Sequence, residues 1–305
     1  MRKPLERILC ATDFSDVSGT VIPYGIEMAK KLDAKLYVCH VIDLPAISVY
    51  GESVFDPLSH QQYFIDFARK EMDNRLSGED VDWEPLISIG QTTDEIARLV
   101  AEKAIDMVVT ATHGRSGLKR FFLGSVTERL MRILPCPLLV LRAEGMAEGE
   151  EFRGRFPFRN ILVAYDFSKD SEEAFRTSLS IAQEFESNLH IVHVVEPTAY
   201  KDFLKFPGET GEPLPGDIHD TLKENLLALV PTEAFNWCEI QAEILVGKPY
   251  AELVSYAGEK GIDLIALGVR GHGKVEELLV GSTTDRVIRR APCPVLSVLP
   301  PLQSE

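Results

Sequence analysis

Tryptophan and cysteine are scarce in this chain, with two and five copies in 305 residues. The cysteines stand singly: Cys10, Cys39, Cys136 and Cys293 lie inside apolar runs and Cys238 follows Trp237, with no C-x-x-C spacing anywhere. This excludes zinc-ribbon and thioredoxin-like readings and suits reduced, buried thiols of a cytoplasmic protein. No stretch approaches the roughly 18 apolar residues of a membrane span, and the apolar segment after the basic start is too short for a signal peptide. Basic charge is also in deficit, with 32 Lys and Arg against 47 Asp and Glu, a net of −15. Residues 1–150 carry 17 basic and 23 acidic side chains and the remainder 15 and 24. Neither part offers the field that nucleic acid or an anionic membrane surface requires. Catalytic signatures are missing too: there is no H-x-x-x-H, no G-x-S-x-G and no G-x-x-x-x-G-K-[ST]. A nucleotide stays compatible with the acidic balance, because backbone N–H groups hold phosphate without a basic surface.

What is present is repetition. Arg7-Ile-Leu-Cys-Ala-Thr-Asp13-Phe-Ser15 returns as Asn160-Ile-Leu-Val-Ala-Tyr-Asp166-Phe-Ser168, and His40-Val41 returns as His193-Val194, both at an offset of 153. Gly114, Gly124, Ser125 and Pro135-Cys136-Pro137 return as Gly271, Gly281, Ser282 and Pro292-Cys293-Pro294 at an offset of 157. A period this long is too great for a solenoid and means two whole domains of one fold. The acidic, glycine-bearing stretch between them reads as a linker, giving domains 1–142 and 158–305 joined by 143–157.

Short β-branched runs alternate with amphipathic stretches in each half. In the first, strands are expected at 7–12, 35–41, 84–89, 106–111 and 137–142, and helices at 16–32, 58–77, 92–103 and 123–134. Ser15 or Asp16 is the expected cap of the first helix, and Thr92 with Glu95 the capping box of the third. Alternation of this kind implies right-handed crossovers and a parallel sheet covered on both faces, so each half is expected to be a five-stranded doubly wound α/β domain. Segments 43–57 and 196–217 have no periodicity and read as long loops after the second strand, either lids or tolerated insertions.

In such sheets ligands bind beyond the carboxyl ends of the strands, where strand order reverses. First strands end in Ala11-Thr12-Asp13 and Ala164-Tyr165-Asp166; fourth strands run into Ala111-Thr-His113-Gly114 and Gly268-Val-Arg270-Gly271. Each loop then reaches Gly-Ser at the start of a helix. Glycines let backbone approach a ligand closely, and a helix start adds free amides, a hydroxyl and a positive dipole end. The aspartates can accept hydrogen bonds from a ribose hydroxyl or an adenine amine. A purely structural turn is the competing reading of one such loop; two copies, each matched to an aspartate, weigh against it.

These residues resemble a tandem universal stress protein, with one such domain in each half. The resemblance rests on Ile8 through Ser15, His40-Val41, the run from His113 to Leu130 and the Pro-Cys-Pro segments. It implies an adenine nucleotide alpha hydrolase-like fold and a G-x-x-G-x9-G-[ST] nucleotide motif. The second half matches that motif at Gly268, Gly271, Gly281 and Ser282; the first has Ala111 in the leading place, then Gly114, Gly124 and Ser125. By motif, the first site is the weaker. The resemblance places adenosine by Asp13 and Val41 and by Asp166 and Val194. It sets the phosphates along Gly114, Gly124, Ser125, Val126 and Thr127, and along Gly271, Gly281, Ser282, Thr283 and Thr284, with His113, Arg115 and Arg270 in the loops. The implied ligand is ATP, ADP or AMP, with or without Mg²⁺. It further implies a stress-response regulator without strong catalysis, slow incidental ATP hydrolysis at most, and an unknown protein partner. In single-domain relatives the last strands, here Leu138–Leu141 and Val295–Leu299, form a dimer, so the halves are expected to act as an intramolecular pseudo-dimer; whether the whole chain forms a homodimer is left open.

Other readings remain. The chain could be a nucleotide-free scaffold, or hold another metabolite. His40 and His193, at equivalent strand ends, read as structural histidines, with ligand or metal contact as the alternative. Cys10 lies near the expected site and could sense oxidants, but Val163 at its partner position argues for plain packing.

Overall fold

A computed structural model of the chain describes residues 4–15, 18–43, 57–112, 123–142, 157–196, 216–271 and 279–300. They fall into two compact units, one within Leu5–Ala143 and the other within Glu144–Glu305. The expected linker and the bodies of both expected loops lie outside the described residues.

The first unit carries strands β1 (Arg7–Ala11), β2 (Lys35–Ile42), β3 (Trp83–Ile89), β4 (Met107–Ala111) and β5 (Leu138–Leu141). Its helices are α1 (Val21–Leu32), α2 (Pro57–Leu76), α3 (Thr92–Lys103) and α4 (Ser125–Ile133). The second carries β6 (Asn160–Ala164), β7 (Asn188–Val195), β8 (Ile240–Val246), β9 (Leu264–Gly268) and β10 (Val295–Val298). Helices α5 (Lys169–Phe185), α6 (Gly216–Ala228), α7 (Pro249–Glu259) and α8 (Ser282–Arg290) accompany them.

All strand pairs within a unit are parallel, in the order β3-β2-β1-β4-β5 and β8-β7-β6-β9-β10. In each unit the chain winds outward from its first strand and then crosses to the other side, so strand order reverses between β1 and β4 and between β6 and β9. The inner strands are apolar and buried, with Ile8, Leu9, Cys10, Ile161, Leu162 and Val163 at 0% exposure, as strands covered on both faces must be. The outer strands β3 and β8 are only partly buried.

The repeat extends to places no motif marks. At the amino ends of the strands, Asp106 accepts the N–H groups of Glu6 and Arg7 at 3.1 and 3.0 Å, and Asp263 accepts those of Arg159 and Asn160 at 2.9 and 3.0 Å. Each aspartate ties the entry of the first strand to that of the fourth.

Two helix starts differ from expectation. Gln91, not Thr92, caps α3: its Oε1 accepts Asp94 N–H at 3.0 Å, while Glu95 turns to Ser88 and Arg98. Ser15 does serve as a cap, its Oγ accepting the Ser18 N–H at 3.3 Å, but what it opens is not yet the α-helix. A 3-10 turn spans Ser18–Thr20, and α1 begins at Val21 with no side-chain cap. Its counterpart α5 begins at Lys169, capped by Ser168, whose Oγ accepts Ser171 N–H at 3.2 Å.

Candidate nucleotide site

The turn after the first strand is built alike in both units. Phe14 and Phe167 follow the aspartates with left-handed backbones, φ 58° and 65°, a conformation that costs a side-chain-bearing residue about 1 kcal/mol. The turn is anchored from β2 and β7. Nδ1 of His40 meets the Thr12 carbonyl at 2.8 Å, and Nδ1 of His193 meets that of Tyr165 at 2.7 Å. A carbonyl can only accept, so Nδ1 carries the proton in both rings. Each phenylalanine then covers its histidine, with ring centroids 4.5 Å apart for Phe14 and His40 and 5.0 Å for Phe167 and His193. The histidines are thus structural: they hold the aspartate turn.

Serines surround the carboxylates. Asp13 Oδ1 accepts the Ser15 N–H at 3.0 Å, the Ser15 hydroxyl at 2.6 Å and the Ser18 hydroxyl at 2.5 Å. Asp166 Oδ1 accepts the Ser168 N–H at 3.1 Å, and its own N–H reaches the Ser171 hydroxyl at 3.3 Å. Ser18 and Ser171 escaped the motif reading, although the spacing D-x-S-x-x-S stands in both halves and marks them.

The loop after the fourth strand leads back to a helix start beside that strand. Gly124 N–H donates to the Thr112 carbonyl and Gly281 N–H to the Val269 carbonyl, each at 2.9 Å. Both glycines are helix N-caps with extended backbone, φ −61° and −59°, so neither is required for a left-handed turn. What they lack is a Cβ, which at Gly124 would lie 2.9 Å from the Thr112 carbonyl oxygen and at Gly281 3.1 Å from that of Val269. Ser125 and Ser282 are exposed at the helix starts; Val126 and Thr283 beside them are half-buried. Thr127 and Thr284 are buried, and their hydroxyls donate to the carbonyls of Ala111 and Gly268 at 2.9 and 2.8 Å. Committed in this way, they fasten helix to strand, a packing role that motif spacing does not reveal.

Loop and aspartate meet in the second unit: a Cβ on Gly271 would lie 2.6 Å from Asp166 Oδ2. Val41 and Val194 are half-buried near the carboxyl ends of β2 and β7; Ala11 and Ala164 end β1 and β6, and Thr12 and Tyr165 are buried just beyond. Arg270 is engaged within the protein. Its N–H and Nε–H reach Asp170 Oδ2 at 3.0 Å each, and Nη2–H reaches Oδ1 at 3.3 Å. His113, Gly114 and Arg115 lie outside the described residues.

All five cysteines are free and buried. Burial pushes the Cys10 thiol far up and that of Cys39 up to about 12, which suppresses the reactive thiolate. Cys10 is there for packing. A Cβ on Gly25 would lie 2.2 Å from its sulfur, and the second unit fills the same place with Val163 and Ser178, the residues at those positions in the repeat. Among the described residues no three His, Cys, Asp or Glu side chains are grouped to hold a metal ion, and no helix is long and apolar enough to cross a membrane.

The two α/β units share one topology, and in each an aspartate follows the first strand and a glycine-capped helix follows the fourth, on the two sides of the point where strand order reverses. The model of the universal stress protein family matches residues 4–142 and again 157–298, and the chain belongs to that family. A universal stress protein of Synechocystis is 23% identical over 318 residues, spanning 96% of this chain and 99% of that protein. One from Methanocaldococcus jannaschii is 33% identical over 145 residues, 47% of this chain and 84% of that one. The crystal structure of a universal stress protein from Archaeoglobus fulgidus shares the fold across 98% of this chain and 97% of its own, with a TM-score of 0.68 at 22% identity.

Proposed function

We propose that each half is an adenine-nucleotide site and that the chain is a nucleotide-binding stress-response regulator, not a catalyst. The observation that carries this reading is the approach of Gly271 to the Asp166 carboxylate, 2.6 Å from where a Cβ would stand. It brings the group suited to a ribose or adenine donor against the loop suited to phosphate, at the crevice where such sheets bind ligands.

The residues fit the ligand. Gly124 and Gly281 leave the first turns of α4 and α8 without a Cβ at the N-cap, so free amides and the exposed hydroxyls of Ser125 and Ser282 stand at the positive end of each helix dipole. Asp13 and Asp166 would take the nucleoside, beside Val41 and Val194. Any Mg²⁺ would arrive on the phosphates. Both strand-end histidines spend their Nδ1 protons on backbone carbonyls, which fits a positioning role. In this reading turnover of ATP is slow and incidental.

The deciding experiment is to denature freshly purified protein and identify released nucleotide by chromatography. One or two adenine nucleotides per chain are expected. Protein that is empty and also fails to bind added ATP overturns the reading and favours a nucleotide-free scaffold, while release of another compound points to a different metabolite.

A further inference from the structure

By motif the second half is the better phosphate site, because its glycine pattern is complete and the first half carries Ala111 in the leading place. The geometry points the other way. Gly268 has no left-handed backbone to explain it. It is a glycine because α5 presses on it: a Cβ there would lie 2.6 Å from Asp170 Cβ, 2.7 Å from the Asp170 carbonyl carbon and 2.9 Å from Ser171 N. The leading glycine of the second half therefore makes room for the first turn of α5.

That close approach brings the Asp170 carboxylate onto the loop. Its two oxygens hold the Arg270 amide and guanidinium through three hydrogen bonds of 3.0, 3.0 and 3.3 Å, and the aspartate is only 6% exposed. A loop amide and a cation that would meet a phosphate are thus already held by a carboxylate of the chain itself. The corresponding positions of the first half are Val17 and His113, and neither is a carboxylate. A phosphate that drew Arg270 away would leave a buried carboxylate unpaired, a larger loss than one phosphate contact returns.

We infer that Asp170 sets the phosphate preference of the second site. The second half takes adenosine or its monophosphate, held by Asp166 and the amino end of α8, and gains little from further phosphates; the first half takes the triphosphate. This rests on the adenine-nucleotide reading of both halves.

Calorimetric titration of the full chain with ATP, AMP and adenosine in Mg²⁺ tests it, using Asp13→Ala to isolate the second site and Asp166→Ala to isolate the first. In the Asp13→Ala chain ATP should bind within about threefold of AMP, whereas in the Asp166→Ala chain it should bind about tenfold tighter or more. Adding Asp170→Asn, or Asp170→Val after the first half, to the Asp13→Ala chain should raise ATP affinity about tenfold and move adenosine affinity less than about twofold. Equal ATP-to-AMP ratios in the two halves overturn the inference and leave the nucleotide reading standing, as does a change in adenosine affinity as large as that for ATP. A chain that gives no heat with any of the three ligands removes the nucleotide reading and this inference together. Should the Asp170 variants fail to fold, the ATP-to-AMP ratios of the two chains that retain Asp170 still decide.

Discussion

The two halves repeat one plan and diverge where their first helices begin. In the first, a 3-10 turn delays α1 to Val21, and Ser18 sends its hydroxyl to Asp13. In the second, α5 starts at Lys169, its first turn reaches Gly268, and Asp170 locks Arg270. Gly268 follows from that close approach, because a methyl group there would run into the first turn of α5; the matching strand end of the first half carries Ala111. A family motif is therefore an uneven guide: the same glycine can be required by a ligand or by a helix, and only the neighbours tell which.

The divergence can be broken from its strongest point. Replacing Arg270 with Leu should leave the buried Asp170 with the backbone N–H of position 270 but no cation, and destabilise the second half by about 3 kcal/mol, the scale of a buried charge that loses its counter-ion. Urea unfolding read from the two tryptophans separates the halves, since Trp83 belongs to the first and Trp237 to the second. A loss in the Trp237 signal no larger than that in the Trp83 signal would refute the lock.

Gly268→Ala comes next, with an expected loss of about 2 kcal/mol from overpacking against the α5 backbone; Ala111→Gly should cost about 1 kcal/mol, from chain entropy and the loss of one buried methyl group. Equal costs in the same unfolding assay would contradict the helix-pressure account.

Acid should also part the halves. His190 is buried with Nδ1 2.9 Å from the Tyr256 hydroxyl, and burial, then the Lys260 charge, holds its pKa below the usual value against the opposing pull of Glu243 and Glu239. The unfolded chain binds the proton more readily, so this contribution is intact above about pH 6.5 and lost as pH falls towards the lowered folded value, at no more than about 1.4 kcal/mol per pH unit. The first half has Tyr37 at the matching position and should not show it. A His190→Gln chain whose Trp237 transition keeps the same slope between pH 7 and 5 would exclude the histidine as its source.

The smallest effect concerns the caps. Ser168→Ala removes the N-cap of α5 and should cost about 1 kcal/mol. Ser15→Ala removes both the hydroxyl bond to Asp13 and the acceptor of the Ser18 N–H that heads the 3-10 turn, so its loss should be only partly abolished in an Asp13→Ala background. A double-mutant cycle reads this coupling directly.

Much of the fold was legible because its signals are local and stated twice. The strands at 7–12 and 106–111 are apolar runs with few other readings, and a shared offset of 153 aligned Asp13 with Asp166 before any coordinates. The helix starts were less legible. Ser15 and Ser168 look alike in sequence and each Oγ accepts the N–H three residues on, yet the first opens a 3-10 turn and the second an α-helix, and Gln91 displaced Thr92 because caps depend on backbone geometry one residue either side. Left-handed ends at Asp33, Ala104 and Glu186 were invisible, since such ends are ordinarily marked by glycine.

By itself, then, the sequence determined that there are two domains, that each is a doubly wound sheet, and that an aspartate and a glycine loop mark each switch point. Hydrophobic period and repetition need no tertiary contact to be read. Tertiary structure alone decided that Thr127 and Thr284 face strand carbonyls, that the histidines serve the aspartate turns, and that Asp170 holds Arg270. Those assignments depend on which groups, from 16 to 100 positions apart in the chain, come within about 3 Å, and residue spacing carries no record of that distance.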